Sequence, residues 1–81
     1  MTNREHFEIE LEAAYRDLFA SDPQYHYAAA TTTPGALAAK MAESLMKGSA
    51  SIDGEGIKRA CRHFKIKRTK GAILEFLNGS V

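Results

Sequence analysis

Apolar residues recur along most of this chain at helical spacing, and they fall into four blocks. Phe7, Leu11, Tyr15, Leu18 and Phe19 stand at i, i+4, i+8, i+11 and i+12, which is one face of a helix with about 3.6 residues per turn. Ahead of them, Thr2-Asn3-Arg4-Glu5 matches the capping box, in which a hydroxyl and a carboxylate satisfy free amides of the first turn. Asp22-Pro23 closes the block, because proline disfavours helical geometry in the residue before it and has no amide to donate. The pattern predicts a helix over residues 4–20. Leu37, Met41 and Leu45, with Ala38, Ala42 and Met46, predict a second over 34–47, opened by Thr33-Pro34 and stopped by Gly48 after Lys47. Ile57, Ala60, Cys61 and Phe64 predict a third over 55–64, with Asp53 placed to cap it. Ala72, Ile73, Phe76 and Leu77 predict a fourth over 69–78, between Thr69 as cap and Gly79 as stop.

The expected fold is therefore all-α, a single small domain over residues 1–81 built as a compact bundle of four helices. Its expected core is Phe7, Leu11, Leu18, Leu37, Met41, Leu45, Ile57, Ala60, Cys61, Phe64, Ile66, Ile73, Phe76 and Leu77. Two stretches lie outside the pattern. Ser49 to Gly56, small and polar, reads as a flexible connection. Gln24 to Thr32, with Tyr25-His26-Tyr27 followed by three alanines, has no clear period. Its tyrosines could stack on bases or fold over the core as lids with wet hydroxyls, and the lack of a neighbouring Lys or Arg favours lids. His26 reads as an exposed loop residue.

Size and composition add a few bounds. A chain of 81 residues with 44% hydrophobic content buries only about 60% of the surface that its unfolded form exposes. Spare apolar surface at Tyr15, Phe19, Met46 and the Tyr25 to Tyr27 segment gives an incentive to pair as a homodimer. No run approaches the roughly 18 apolar residues of a membrane span, and the acidic start is unlike a signal peptide, so a cytoplasmic location is expected. The single cysteine, Cys61, lies on an apolar stripe and reads as a small buried hydrophobe.

Charge changes the picture more. The net charge of +1 hides a polarity, because Arg4 and Arg16 face six carboxylates within residues 1–30, while Lys58 to Lys70 holds seven Lys or Arg and no carboxylate. Such a cluster is the footprint of a nucleic-acid surface or of an acidic protein partner. The cations flank the elbow Lys65-Ile66-Lys67-Arg68, where Ile66 is expected to plug into the core and fix the angle between the last two helices, making a helix-turn-helix-like hairpin. Lys65, Lys67, Arg68, Thr69 and Lys70 would then surround the amino end of a recognition helix, with Lys58, Arg59 and Arg62 on the flanking backbone.

The stretch Ile57-Lys-Arg-Ala-Cys-Arg-His-Phe-Lys-Ile-Lys-Arg-Thr-Lys-Gly-Ala-Ile, within residues 50–77, resembles small uncharacterised proteins carried by bacteriophages and plasmids. More loosely, it resembles prokaryotic helix-turn-helix segments, which implies DNA binding by this unit. Two positions depart from that pattern. Lys65 stands where the turn favours glycine, and Gly71 lies inside the last helix at a cost of about 1 kcal/mol relative to alanine.

Catalysis is not expected. His63 lies two residues from Cys61, so on a helix the two point apart and do not make a nucleophile and base. His6, His26 and His63 have no metal-ligand spacing, and no metal or cofactor is expected. The rival to DNA binding is a protein-interaction module using the basic elbow or the acidic first helix. Glu8, Glu12 and Asp17 discriminate: beside the basic corner they would repel phosphate, and on the far side they would leave it open to DNA.

Overall fold

The computed structural model describes residues 1–79, and the elements in it are helical. They run α1 (Asn3–Ser21), a 3-10 turn (Pro23–Tyr25), α2 (His26–Thr31), α3 (Pro34–Met46), α4 (Glu55–Phe64) and α5 (Lys70–Asn78). Four of these match the expected helices to within a residue at each end. The count of four does not hold, because α2 makes five. Asp22 both ends α1 and begins the next turn: its carboxylate accepts from the Gln24 amide at 3.0 Å, and Pro23 takes the first position, where its missing amide is no loss. The alanine run then coils into α2, and the Thr31 hydroxyl donates back to the Tyr27 carbonyl at 3.0 Å.

The caps explain where the long helices begin. At α1 the Glu5 amide donates to the Thr2 hydroxyl at 3.1 Å and the Thr2 amide to Glu5 Oε1 at 3.0 Å, the reciprocal pair of a capping box. These bonds from Thr2 hold the Glu5 carboxyl below its ordinary range. Thr33 and Thr69 cap α3 and α5 through their hydroxyls. Asp53 does not cap α4, contrary to expectation. Gly54 occupies that position without a side-chain bond, and the Asp53 carboxylate faces Arg68 instead.

Helix α1 is the hub. It packs most extensively on α3, then on α4 and α5. Its buried face is Phe7, Leu11, Ala14, Tyr15 and Leu18, which meets Ile57, Ala60, Cys61, Ile73 and Leu77 in one core cluster. On α3 the fully buried row is Ala38, Ala42 and Leu45, whereas Leu37 and Met41 are half-buried. Small residues line this seam, and a β-carbon at Gly35 would meet the Glu12 side chain, 3.3 Å from Oε1. The longer side chains therefore splay to the edges of the α1–α3 seam.

Two aromatic groups pin the ends of α1. Phe7 stacks on Phe64 at 6.0 Å and meets Phe76 at 6.1 Å, while Phe64 and Phe76 lie 4.8 Å apart. All three join α1, α4 and α5. At the other end Tyr15, Phe19 and Tyr25 pack with centroids 6.1–6.3 Å apart. Tyr15 is only 3% exposed, so it belongs to the core and not to a spare surface for pairing. Tyr25 is a lid; Tyr27, 81% exposed, is not. Phe64, Ile66 and Phe76, expected to be fully buried, are half-buried against the core.

Candidate nucleic-acid interface

The basic corner is built by the end of α4. The chain leaves that helix through Lys65 at φ 57°, a left-handed residue. The Ile66 amide donates to the Cys61 carbonyl at 3.0 Å and the Lys65 amide to the Arg62 carbonyl at 3.3 Å, which is the double closure of a Schellman motif. Ile66 then packs against the core cluster to which Cys61 belongs, as the apolar contact accompanying this cap requires. The position expected to favour glycine is thus left-handed, and a lysine fills it. Thr69 starts α5 five residues beyond Phe64 by accepting from the Ala72 amide at 3.2 Å.

The eight candidate residues divide by what they touch. Arg59 donates to Asp17 at 2.7 Å and to Glu55 at 3.5 Å, and these bonds, the first above all, raise its already high pKa. Arg62 reaches Glu55 at 3.6 Å. Arg68 folds back to Asp53 at 3.1 Å and to the Ile52 carbonyl at 3.0 Å. This ties the connection before α4 to the elbow, and with Ala50 buried and Ile52 packed on the core that connection is anchored where a flexible one was expected. Thr69 spends its hydroxyl on the helix cap. That leaves Lys58, half-buried, and Lys65, Lys67 and Lys70, exposed, with no carboxylate within 4.0 Å among the described residues.

The discriminating carboxylates split between two sides. Glu8 pairs with Arg4 and Glu12 with Arg16 along the groove that α1 shares with Gly35 and Ala38 of α3. Asp17 lies against α4, and so does Glu10, 3.5 Å from His63 Nε2. Sequence reasoning missed these contacts. Asp17 and Glu10 are seven residues apart, two helical turns, so a shared face was readable, but not that α4 would lie on it.

Cys61 is buried beneath the corner, 3% exposed. Burial pushes its thiol up, against a smaller opposing effect of Arg68, so it is a packing residue and a poor nucleophile. His63 is held edge-on to Phe64 at 4.8 Å. Among the described residues no three His, Cys, Asp or Glu side chains converge as a metal site would require, and no helix is long and apolar enough to cross a membrane. A polar groove of about 650 Å³ opens between the 3-10 turn and the start of α4, with Asp22, Asp53 and Glu55 opposing Lys58 and Arg59 in its wall. Compared with known proteins, the chain matches no family model, no curated protein and no solved structure.

Proposed function

We propose that this chain is a small non-enzymatic DNA-binding protein that uses the α4–α5 corner as a helix-turn-helix-like unit. The observation that carries this reading is the set of four lysines, Lys58, Lys65, Lys67 and Lys70, without a carboxylate within 4.0 Å among the described residues. Unpaired ammonium groups attract a polyanion and release its counterions on contact. In this reading the amino end of α5 approaches the duplex, where its free amides and dipole favour phosphate. A gel shift on random duplex DNA at about 50 mM salt tests it, because low salt favours any basic surface most. Wild-type protein should shift the duplex, and no shift under those conditions rules the function out.

The second reading, a module for an acidic protein partner, is favoured by Asp17 and Glu10 lying against α4. A surface that alternates in sign suits a protein partner better than a uniform polyanion. Under this reading, replacing Lys67 and Lys70 by glutamate releases a co-purifying protein, and the wild type binds duplex DNA only at about the 10⁻⁴ M level of weak non-specific association.

A further inference from the structure

We propose that the corner grips DNA through lysine–phosphate contacts alone and reads no base sequence, its three arginines being turned to carboxylates of the same chain. The inference rests on the DNA-binding reading above. Base sequence in the major groove is read by directed, paired hydrogen bonds, most often from Arg or Lys to guanine, and of these two only arginine holds its donors in a rigid planar fork. Each arginine of the corner has an acidic partner within the molecule. Arg59 bridges α4 to Asp17 of α1 and to Glu55, Arg68 holds Asp53 and the Ile52 carbonyl, and Arg62 shares Glu55.

The polar side chains that could substitute are also engaged. Thr69, the one hydroxyl at the amino end of α5, accepts from the Ala72 amide, and beyond Lys70 the next two residues, Gly71 and Ala72, have side chains with no hydrogen-bonding group. What remains is four ammonium groups. An ammonium is a compact point charge on a flexible stem, well suited to phosphate and less directional than the arginine fork. Phosphate contacts fix position on a duplex without reporting its sequence.

The salt dependence of binding counts the contacts. Four phosphate contacts give a slope of log affinity against log salt of about −3.6, so affinity should fall about 150-fold between 50 and 200 mM salt. If the three arginines also touched phosphate, the slope would be about −6.3 and the loss about 6,000-fold.

Fluorescence anisotropy on labelled duplexes of unrelated sequence, titrated across this salt range, is the test. Dissociation constants within about threefold of one another and a loss near 150-fold support the inference. Replacing Lys67 and Lys70 together by glutamine should flatten the slope by about 1.8. The charge-neutral pair of changes Asp53→Asn with Arg68→Gln should leave the slope unchanged, since it removes an internal pair and no phosphate contact. A duplex selected from a random library that binds more than about tenfold tighter than its competitors overturns the inference while leaving DNA binding intact. So does a salt-induced loss above about 1,000-fold, or a slope reduced by the Asp53 and Arg68 pair. Absence of binding at 50 mM salt overturns the DNA-binding reading itself.

Discussion

Gly56 is the residue at which helix propensity and packing disagree most sharply. It is the second residue of α4, and propensity alone predicts that Gly56→Ala stabilises the helix by up to about 1 kcal/mol. The structure predicts the reverse. A β-carbon there would lie 2.5 Å from Tyr15 Cε1, 2.8 Å from Cζ and 3.1 Å from the hydroxyl, where carbon atoms in contact rest at about 3.5–4.0 Å. The ring must therefore retreat by about 1 Å. It has little room to do so, because Tyr15 is wedged against Phe19 and Tyr25 with 3% of its surface exposed. Overpacking of this kind costs about 1–3 kcal/mol. Set against the propensity gain, the net loss should be about 1–2 kcal/mol, a fall in Tm of about 5–15 °C for a domain of this size. Thermal and urea unfolding followed by circular dichroism measures it. Gly71→Ala is the matched control, since nothing lies within 4 Å of that position, and it should stabilise by a few tenths to about 1 kcal/mol. In a Tyr15→Ala background the Gly56→Ala change should become neutral or stabilising, which isolates the ring contact as the cause. Gly56→Ala at least as stable as wild type would refute the packing argument.

Two further predictions follow from single residues. Lys65 holds φ 57°, a region that costs a residue with a β-carbon about 1–2 kcal/mol. Lys65→Gly should therefore raise stability in a denaturant titration by about 1 kcal/mol, while flattening the salt slope for DNA by about 0.9. Burial, helped by Tyr25, pushes the Tyr15 phenol from 10.0 up to about 12. The folded state then keeps a proton that the unfolded state releases near pH 10. Stability is whole below that pH and falls by about 2–3 kcal/mol as pH rises through 12. Tyr15→Phe, compared with wild type by urea unfolding at pH 9 and pH 11.5, should lack that component of the loss.

What the sequence could reveal was set by local chemistry. The caps at Thr2, Thr33 and Thr69, the stop at Gly48 and the stripes of the four longer helices depend on near neighbours, and each could be read before any fold was known. Helix α2 could not, because an alanine run has no apolar period and six residues lie below the length at which a helix is stable by itself. The face of α3 was misjudged in detail for a related reason. Leu37 and Met41 carry the stronger hydrophobic signal, yet Ala38 and Ala42 take the seam because small residues let two axes approach. At the corner, all seven cations were visible in the sequence, but their partners were not. Asp17 lies 42 residues from Arg59, and a contact at that range is decided by how α1 and α4 pack. Sequence reasoning sorted the seven by their place along the two helices, the elbow for base edges and phosphates and Lys58, Arg59 and Arg62 for the flanking backbone, and not by their partners. Three-dimensional pairing separates the three arginines, each beside a carboxylate, from the four lysines, which have none within 4.0 Å among the described residues.

The central position of α1 has a consequence for how the chain is made. Every other long helix touches α1 most, and each of them is synthesised after it. Its Asn3 side-chain Nδ2 donates to the Phe76 carbonyl at 2.9 Å, across 73 residues, and Ile73 and Leu77 complete the cluster around Phe7. At about 5–20 residues per second, the 57 residues between Ser21 and Asn78 take about 3–11 seconds to synthesise. Through that interval Phe7, Leu11 and Leu18 have no complete core to enter. The nascent chain presents an amphipathic helix before it can close, and Glu8, Glu10 and Glu12, which end half-buried beside α3 and α4, give that waiting helix like charges that oppose its association with other copies.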